Sequence, residues 1–365
     1  MTDITISEVV IPESLGAPDA SEFLTSIDVR NTVWRDDSGT EDLTYTAAEL
    51  LPGWQKTTFE PRRLFAARLG GRMVARGVYE TRTNDDFGMV WLMAEVLQDA
   101  RGHGVGEALA QHLEQLALDE GKTHAIVYAP SWKTGGIRIP SPTGFGSVPA
   151  GTPEVRLLQG MGYTLEQVER GSRMTLPLDE ESLRAAYTTA ASAAGPDYRV
   201  HTWSGFTPAE WREDIAHLLT RMSTDAPSAG LDEPEDPWTV ERLLEDEAKE
   251  AESPRTSVVA AIEHVPTGAL VGFTEMTVPA EAERAVSQED TIVLREHRGH
   301  RLGMLLKAAN LLWLEQVAPG HPSVITYNAE ENRHMLAVNE ALGFVAFVYE
   351  GAWRKALVVE PTAGG

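Results

Sequence analysis

Apolar positions along the chain switch between a period near two and a period near 3.6, and the switches come in the same order twice. Ile4 and Ile6 alternate at the head of a strand over 4–11. Residues 20–33 are helical, with Phe23, Leu24 and Ile27 on one side, and 45–51 form a short helix ended by Pro52-Gly53. Strands over 63–69 and 72–80 meet at Gly70-Gly71, a hairpin signal. The apolar run 89–97 is a central strand. A helix follows over 107–120 with Leu109, Leu113, Leu116 and Ala117 on one face, then a strand at 124–128. Residues 131–152, rich in Gly, Pro and Ser, read as a long loop; 153–160 is a helix and 162–174 a closing strand.

After a helical linker with an acidic start, the order repeats. A strand covers 198–203, helices cover 207–222 and 239–251, and paired strands cover 257–263 and 269–277. Residues 290–295 lead into a basic turn; then come a helix (304–314), a strand (323–327), a helix (331–342) and a last strand pair over 344–359. The expected fold class is α/β (mixed α+β): an N-terminal domain over 1–177, a linker over 178–196 and a C-terminal domain over 197–365. Each is a mostly antiparallel sheet flanked by helices. A chain of 365 residues suits two such cores.

The repeat is sharpest at the turns. Val96-Leu97 precede Arg101-Gly102-His103-Gly104-Val105-Gly106, and Val293-Leu294 precede Arg298-Gly299-His300-Arg301-Leu302-Gly303. The offset is 298 − 101 = 197, and it also pairs Val293 with Val96, Leu294 with Leu97 and Gly303 with Gly106. Gly272 to Glu275 matches Gly77 to Glu80 at 272 − 77 = 195. Gly343 matches Gly162 at 343 − 162 = 181, so the Gly/Pro-rich loop at 131–152 holds the extra residues of the first half.

Composition narrows the function. Cysteine is absent, which removes disulfides, thiolate metal sites and a cysteine nucleophile, and no metal site is expected. Acids outnumber bases by 55 to 31, giving a net charge of −24. That excludes a nucleic-acid partner and favours cationic ligands such as amines. No apolar run approaches a membrane span, and the first residues lack a signal-peptide pattern, so a cytoplasmic location is the default.

A strand entering a Gly-bearing turn and then a helix offers unpaired N–H groups to a phosphate, and Arg adds charge. Neither turn ends in the Gly-Lys-Ser/Thr of a P-loop, and the third Gly of a dinucleotide turn would fall at Glu107. The pattern Arg-x-x-Gly-x-Gly after a strand resembles the acetyl-CoA motif of the GNAT N-acetyltransferase superfamily. The element order is similar as well, once per half, in the tandem arrangement of the actinobacterial proteins that include mycothiol synthase. The second half adds Asn328 to Asn332, Met335, Val338-Asn339 and Leu342-Gly343-Phe344, which resemble the family's segment after its fifth strand.

The resemblance implies an N-acetyltransferase with acetyl-CoA as co-substrate and a small-molecule amine as acceptor. It implies pantetheine at Val293, Leu294, Val96 and Leu97, and pyrophosphate at Arg298 to Gly303 (His300, Arg301 and Leu302 included) and at Arg101 to Gly106. Asn332 matches an Asn that contacts the coenzyme arm. Arg301 departs from the pattern, because the family has Gly there; a left-handed position would resist the change. Glu275, in an apolar strand, is the first candidate for the base, Asp290 the second, and Glu80 is the first-half match of Glu275. The family's thiolate-protonating Tyr would fall at Asn339, which is no acid, so water or another group, with Tyr327 as the candidate, takes that role, or turnover is modest. The C-terminal half is the expected catalytic one. An acyl-CoA-binding sensor without efficient turnover is the alternative, with a protein N-acetyltransferase third. A monomer and a homodimer both remain open.

Overall fold

The computed structural model describes residues 3–83, 88–132, 135–225, 227–232 and 234–357. In chain order the first half forms β1 (Ile4–Glu8), α1 (Ala20–Ser38), α2 (Ala47–Gln55), β2 (Arg62–Leu69), β3 (Arg72–Glu80), β4 (Met89–Val96), α3 (Val105–Asp119), β5 (His124–Ser131), β6 (Arg138–Pro140), β7 (Ser147–Pro149), α4 (Pro153–Gly160) and β8 (Thr164–Thr175). Then follow α5 (Glu180–Ala194), β9 (Tyr198–Ser204), α6 (Arg212–Asp225), α7 (Val240–Glu252), β10 (Thr256–His264), β11 (Ala269–Val278), β12 (Val286–Val293), α8 (Leu302–Val317), β13 (Ser323–Ala329), α9 (Arg333–Ala341) and β14 (Val345–Ala356).

Two units emerge, and no single cut in the sequence separates them. The first holds residues 1–168, 229–232 and 349–365; the second holds 169–228 and 233–348. In the first, strands run in the order β1-β2-β3-β4-β5-β14, antiparallel except for β4–β5. In the second the order is β9-β10-β11-β12-β13-β8, antiparallel except for β12–β13. Each sixth strand comes from the other half of the chain. Tyr349 to Ala356 pair with Ser131 to His124, and Glu169 to Thr175 pair with Ala329 to Ser323.

Helices cover both faces of each sheet. In the first unit Phe23 and Ile27 of α1 pack with Leu64, Ala66 and Val78 on one face. On the other, Leu109 and Leu113 of α3 and Val155 and Leu158 of α4 pack with Phe65, Val74 and Tyr79. In the second unit Ile215 and Leu218 of α6 and Leu243 of α7 lie on Val259, Phe273 and Ile292. Leu302, Leu305 and Leu306 of α8 lie with Ala190 and Ala194 of α5 on Ala260 and Ile262. The stretch expected as a linker is therefore part of the second core, because its alanines allow α5 to approach α8 closely.

Several boundaries differ from the sequence expectation. Helix α2 runs past Pro52-Gly53 to Gln55, anchored at its start by a capping box between Thr46 and Glu49. The loop at 131–152 contains the small hairpin β6–β7 among its described residues. Strand β12 begins at Val286, before residue 290, and ends at Val293; β14 is one strand over Val345–Ala356, and the end of the strand pair expected to reach 359 lies outside the described residues.

Candidate active site

In each unit the parallel pair comes apart. Strand β4 pairs with β5 only through Met89, Val90 and Trp91 among the described residues, and β12 with β13 only through Val286 and Ser287. Beyond those points the strand edge is open, and its N–H and C=O groups need partners. The open strand ends at the Gly-bearing turn, and the turn opens the next helix. The mouth of the wedge thus faces the N-terminus of α3 or α8, where the helix dipole and free amides favour an anion.

The structure separates the roles within the turn. Val105 and Leu302 are the first helical residues, and their side chains are buried in the two cores, which leaves their backbone to the turn. Gly104 and Arg301 occupy the same place before their helices. Gly104 has φ 80° and Arg301 has φ 56° with ψ 22°, both left-handed. Arg301 therefore sits in the conformation that favours glycine, at a cost of roughly 1 kcal/mol. Arg101 and Arg298 turn back onto their strands, where Nε donates to Val96 O and to Val293 O, each at 3.0 Å. The amides of Leu97 and Leu294 donate to Val74 O and Val271 O, both at 2.9 Å, and so face away from the wedge.

The ring of His103 lies 3.1 Å from Arg101 O through Nδ1. His300 joins a cluster with Tyr198, His264 and His297, in which the Tyr198 hydroxyl bonds His297 Nδ1 at 2.9 Å. Asn332 caps α9, its side chain accepting from Met335 N at 3.3 Å.

The backbone anchors fix which positions correspond. Leu97 to Val74 and Leu294 to Val271 share the offset 294 − 97 = 271 − 74 = 197. Glu275 then corresponds to Val78 (275 − 197), and Glu80 to Thr277 (80 + 197). The match of Glu80 with Glu275 at offset 195 is thus two residues out of strand register. The β10–β11 turn is two residues longer than its first-half counterpart, so an offset taken from sequence similarity slides along the strand. Glu80 pairs with Arg62 at 2.7 Å, while Val78 is buried under α1.

A second difference lies beside Glu275. Strands β3 and β4 keep one register from Ala75–Val96 to Glu80–Trp91. Strands β11 and β12 do not: Thr274 faces Thr291, but Met276 faces Gln288. Two residues, Glu289 and Asp290, therefore stand opposite Glu275 in a β-bulge. Gln288 spans the bulge, with Nε2 donating to Glu275 O at 2.6 Å and to Thr274 Oγ1 at 3.0 Å. The bulge begins where β12 parts from β13.

Glu275 faces α6 and α7, like its cross-strand partner Val259, and it accepts a short hydrogen bond from the Ser257 hydroxyl. Burial first, then the Glu250 carboxylate, raise its pKa well above the usual range; Ser257 opposes them, and Asp290 and Glu289 add to the rise. Burial, with Glu289 and Asp246, pushes Asp290 up to about 6. Burial, Asp246 and Glu289 push Glu250 up to about 7, while Arg255 pulls it down. Next to Ser257 opens a pocket of about 300 Å³, lined among others by Phe206, Glu247, Glu250 and Arg255. Two candidate bases from the sequence, Glu275 and Asp290, are thus brought together at one bulge.

The Tyr327 ring stands edge-on to Phe347 at 6.4 Å, and Tyr327 lies opposite Gly171 on β8. Asn339 is buried and donates through Nδ2 to Asn328 Oδ1 at 2.7 Å, a structural amide pair. Sequence reading missed Ser257, Gln288 and Glu250. It also missed the buried ion pair Arg76–Glu95 (2.7 Å), which fills the first unit where Phe273 and Ile292 stand in the second. Among the described residues no cluster suits a metal ion, and no helix is long and apolar enough to cross a membrane.

With this geometry in place, comparison with known proteins finds that residues 27–134 match the acetyltransferase (GNAT) family. The GNAT fold extends over the whole chain. A tandem GNAT protein from the clavulanic acid biosynthesis pathway, solved without AcCoA, is similar over 98% of this chain and 100% of its own, with a TM-score of 0.74 and 20% identity. A GCN5-related N-acetyltransferase from Sphaerobacter thermophilus is similar over 98% of this chain and 96% of its own, with a TM-score of 0.60 and 15% identity. No curated protein matches the chain.

Proposed function

We propose that the chain transfers an acetyl group from acetyl-CoA to the primary amine of a small cationic molecule, and that its second unit carries the reaction. The observation that supports this is the bulge at Glu289-Asp290, which sets Glu275 beside the opened edge of β12. The first unit has the wedge and the more regular turn, but Val78 stands where a base would be.

The coenzyme's pyrophosphate would rest on the amides of Gly299 to Gly303, with its pantetheine arm along the open edge of β12. The acceptor would enter from the pocket at Glu247, Glu250 and Ser257. Its ammonium meets carboxylates that hold protons near neutral pH, and a cation among them favours their ionised forms. Glu275, or Asp290 beside it, then takes a proton from the amine nitrogen. The freed lone pair attacks the thioester carbonyl, the C–N bond forms, and the C–S bond breaks as the CoA thiolate leaves. Water supplies the proton to that thiolate in the simplest route, since Asn339 donates none, and the hydroxide so formed takes the second proton from the acylated nitrogen, leaving the neutral amide. An alternative is an acyl-CoA sensor with slow turnover, favoured by Asn339 and by the base-free first unit.

Thiol release from acetyl-CoA against a panel of diamines and aminosugars tests the proposal. Glu275→Gln is expected to lower kcat by about a hundredfold, the scale of a lost general base. Coenzyme binding without release for any amine would establish the sensor instead, and full activity in Glu275→Gln would remove Glu275 as the base.

A further inference from the structure

The arginine that opens each turn is held by an aspartate that the sequence repeat does not reveal. In the first unit Asp37 receives NH1 and NH2 of Arg101 at 2.9 and 2.6 Å, and Gln98 Nε2 at 3.1 Å. In the second, Asp225 receives Arg298 at 3.0 Å, Arg295 at 3.3 Å and Arg221 at 2.6 Å. Arg298 and Arg295 are the +197 counterparts of Arg101 and Gln98, whereas the aspartates differ by 225 − 37 = 188. The same clamp is thus built twice from helices placed differently in the sequence. In both units the arginine's Nε meanwhile holds the last carbonyl of the open strand.

Each aspartate lies at the C-terminal end of its helix, α1 or α6, where the helix dipole disfavours an anion. Its place there is explained by the turn it grips rather than by the helix it ends. The Asp225 side chain is only 3% exposed and, among the described residues, meets three guanidinium groups, whereas Asp37 meets one. The second unit therefore combines the strained Arg301 with a cationic seat, inside a chain of net charge −24. Such a seat suits a polyanion.

We infer that Asp225 is a positioning residue for the acyl donor: it fixes Arg298 and, through it, the turn that receives the coenzyme's phosphates. The inference rests on the function proposed above. Its test turns on a sign. Asp225→Asn removes a negative charge near the phosphate site, so electrostatics alone would tighten acetyl-CoA binding. Loss of positioning would weaken it.

The experiment is calorimetry with acetyl-CoA on the full chain, together with KM and kcat for an amine that is turned over. The expected result for Asp225→Asn is an acetyl-CoA Kd and KM raised about tenfold with kcat at saturation little changed, and partial recovery in Asp225→Glu. If Asp225→Asn fails to fold, Arg298→Lys, which keeps the charge and loses the planar fork, carries the same expectation. Unchanged or tighter binding in a folded variant would overturn the positioning role and leave the enzyme reading intact. A wild-type chain that binds no acetyl-CoA would overturn both.

Discussion

At the scale of single residues, Arg301 joins two opposed effects. Its backbone is left-handed at a position where the first unit has Gly104. In the first unit's turn nothing lies within 4 Å of a Cβ built on Gly104, so a side chain at this place meets no crowding there. The cost is conformational, not steric crowding. Arg301→Gly is therefore expected to stabilise the fold by about 1 kcal/mol. It also removes a cation beside the proposed phosphate seat, so acetyl-CoA KM should rise. Urea unfolding and steady-state kinetics on the same variant check both. A variant that is less stable, or that binds acetyl-CoA more tightly, would contradict this account. The sequence pointed to Arg301 as the irregular position and named glycine's conformation as the reason, and both are visible in the backbone. It could not show Asp225, since an aspartate at a helix end carries no periodic or spacing signal.

At the scale of elements, the bulge in β12 decides which carboxylates interact. Apolar alternation located β11 and singled out Glu275 and Asp290, but an added residue in one strand leaves no mark in composition. Sequence similarity also matched Glu275 to Glu80, and only the hydrogen-bonded register separates them. The bulge sets Asp290 beside Glu275, near Glu250 of α7; burial raises all three pKa values, Glu250 and Asp290 add to the rise at Glu275, and Glu289 and Asp246 add to it at Asp290 and Glu250. A carboxylate whose folded pKa is raised contributes stability that is full below its unfolded value, near 4.5 for Glu250, and is lost as pH rises through about 7. Glu250→Gln should therefore raise the melting temperature at pH 8 and change it little at pH 4.5. It also removes a carboxylate that raises Glu275, so the ascending limb of kcat/KM should move to lower pH. A thermal-shift series across pH, with a pH–rate profile of the variant, checks this. A limb moved to higher pH would show that Glu250 does not act on the base.

At the scale of the whole molecule, the two halves of the sequence and the two units of the structure are different divisions. The repeat made two domains legible, because each half carries its own hairpins, turn and helices. The exchange of strands was not legible: β8 and β14 are ordinary strand patterns, and alternation does not say which sheet edge a strand joins. Trp353 shows the consequence. It belongs to the C-terminal half by sequence, yet it is 1% exposed in the core of the first unit, opposite Val127 of β5. Trp353→Ala should cost about 3–5 kcal/mol, the range for a large aromatic removed from a packed core. The loss should fall on the first unit. Hydrogen exchange followed by mass spectrometry is expected to show lost protection in β4 and β5, with β10 to β12 protected as before. Lost protection confined to residues 233–348 would mean that the last strand stabilises the half it is encoded in. Under the strand pairing seen here, a C-terminal truncation after Val348 should reproduce the Trp353→Ala pattern in a stronger form, since it removes Trp353 together with every backbone hydrogen bond that β14 makes to β5.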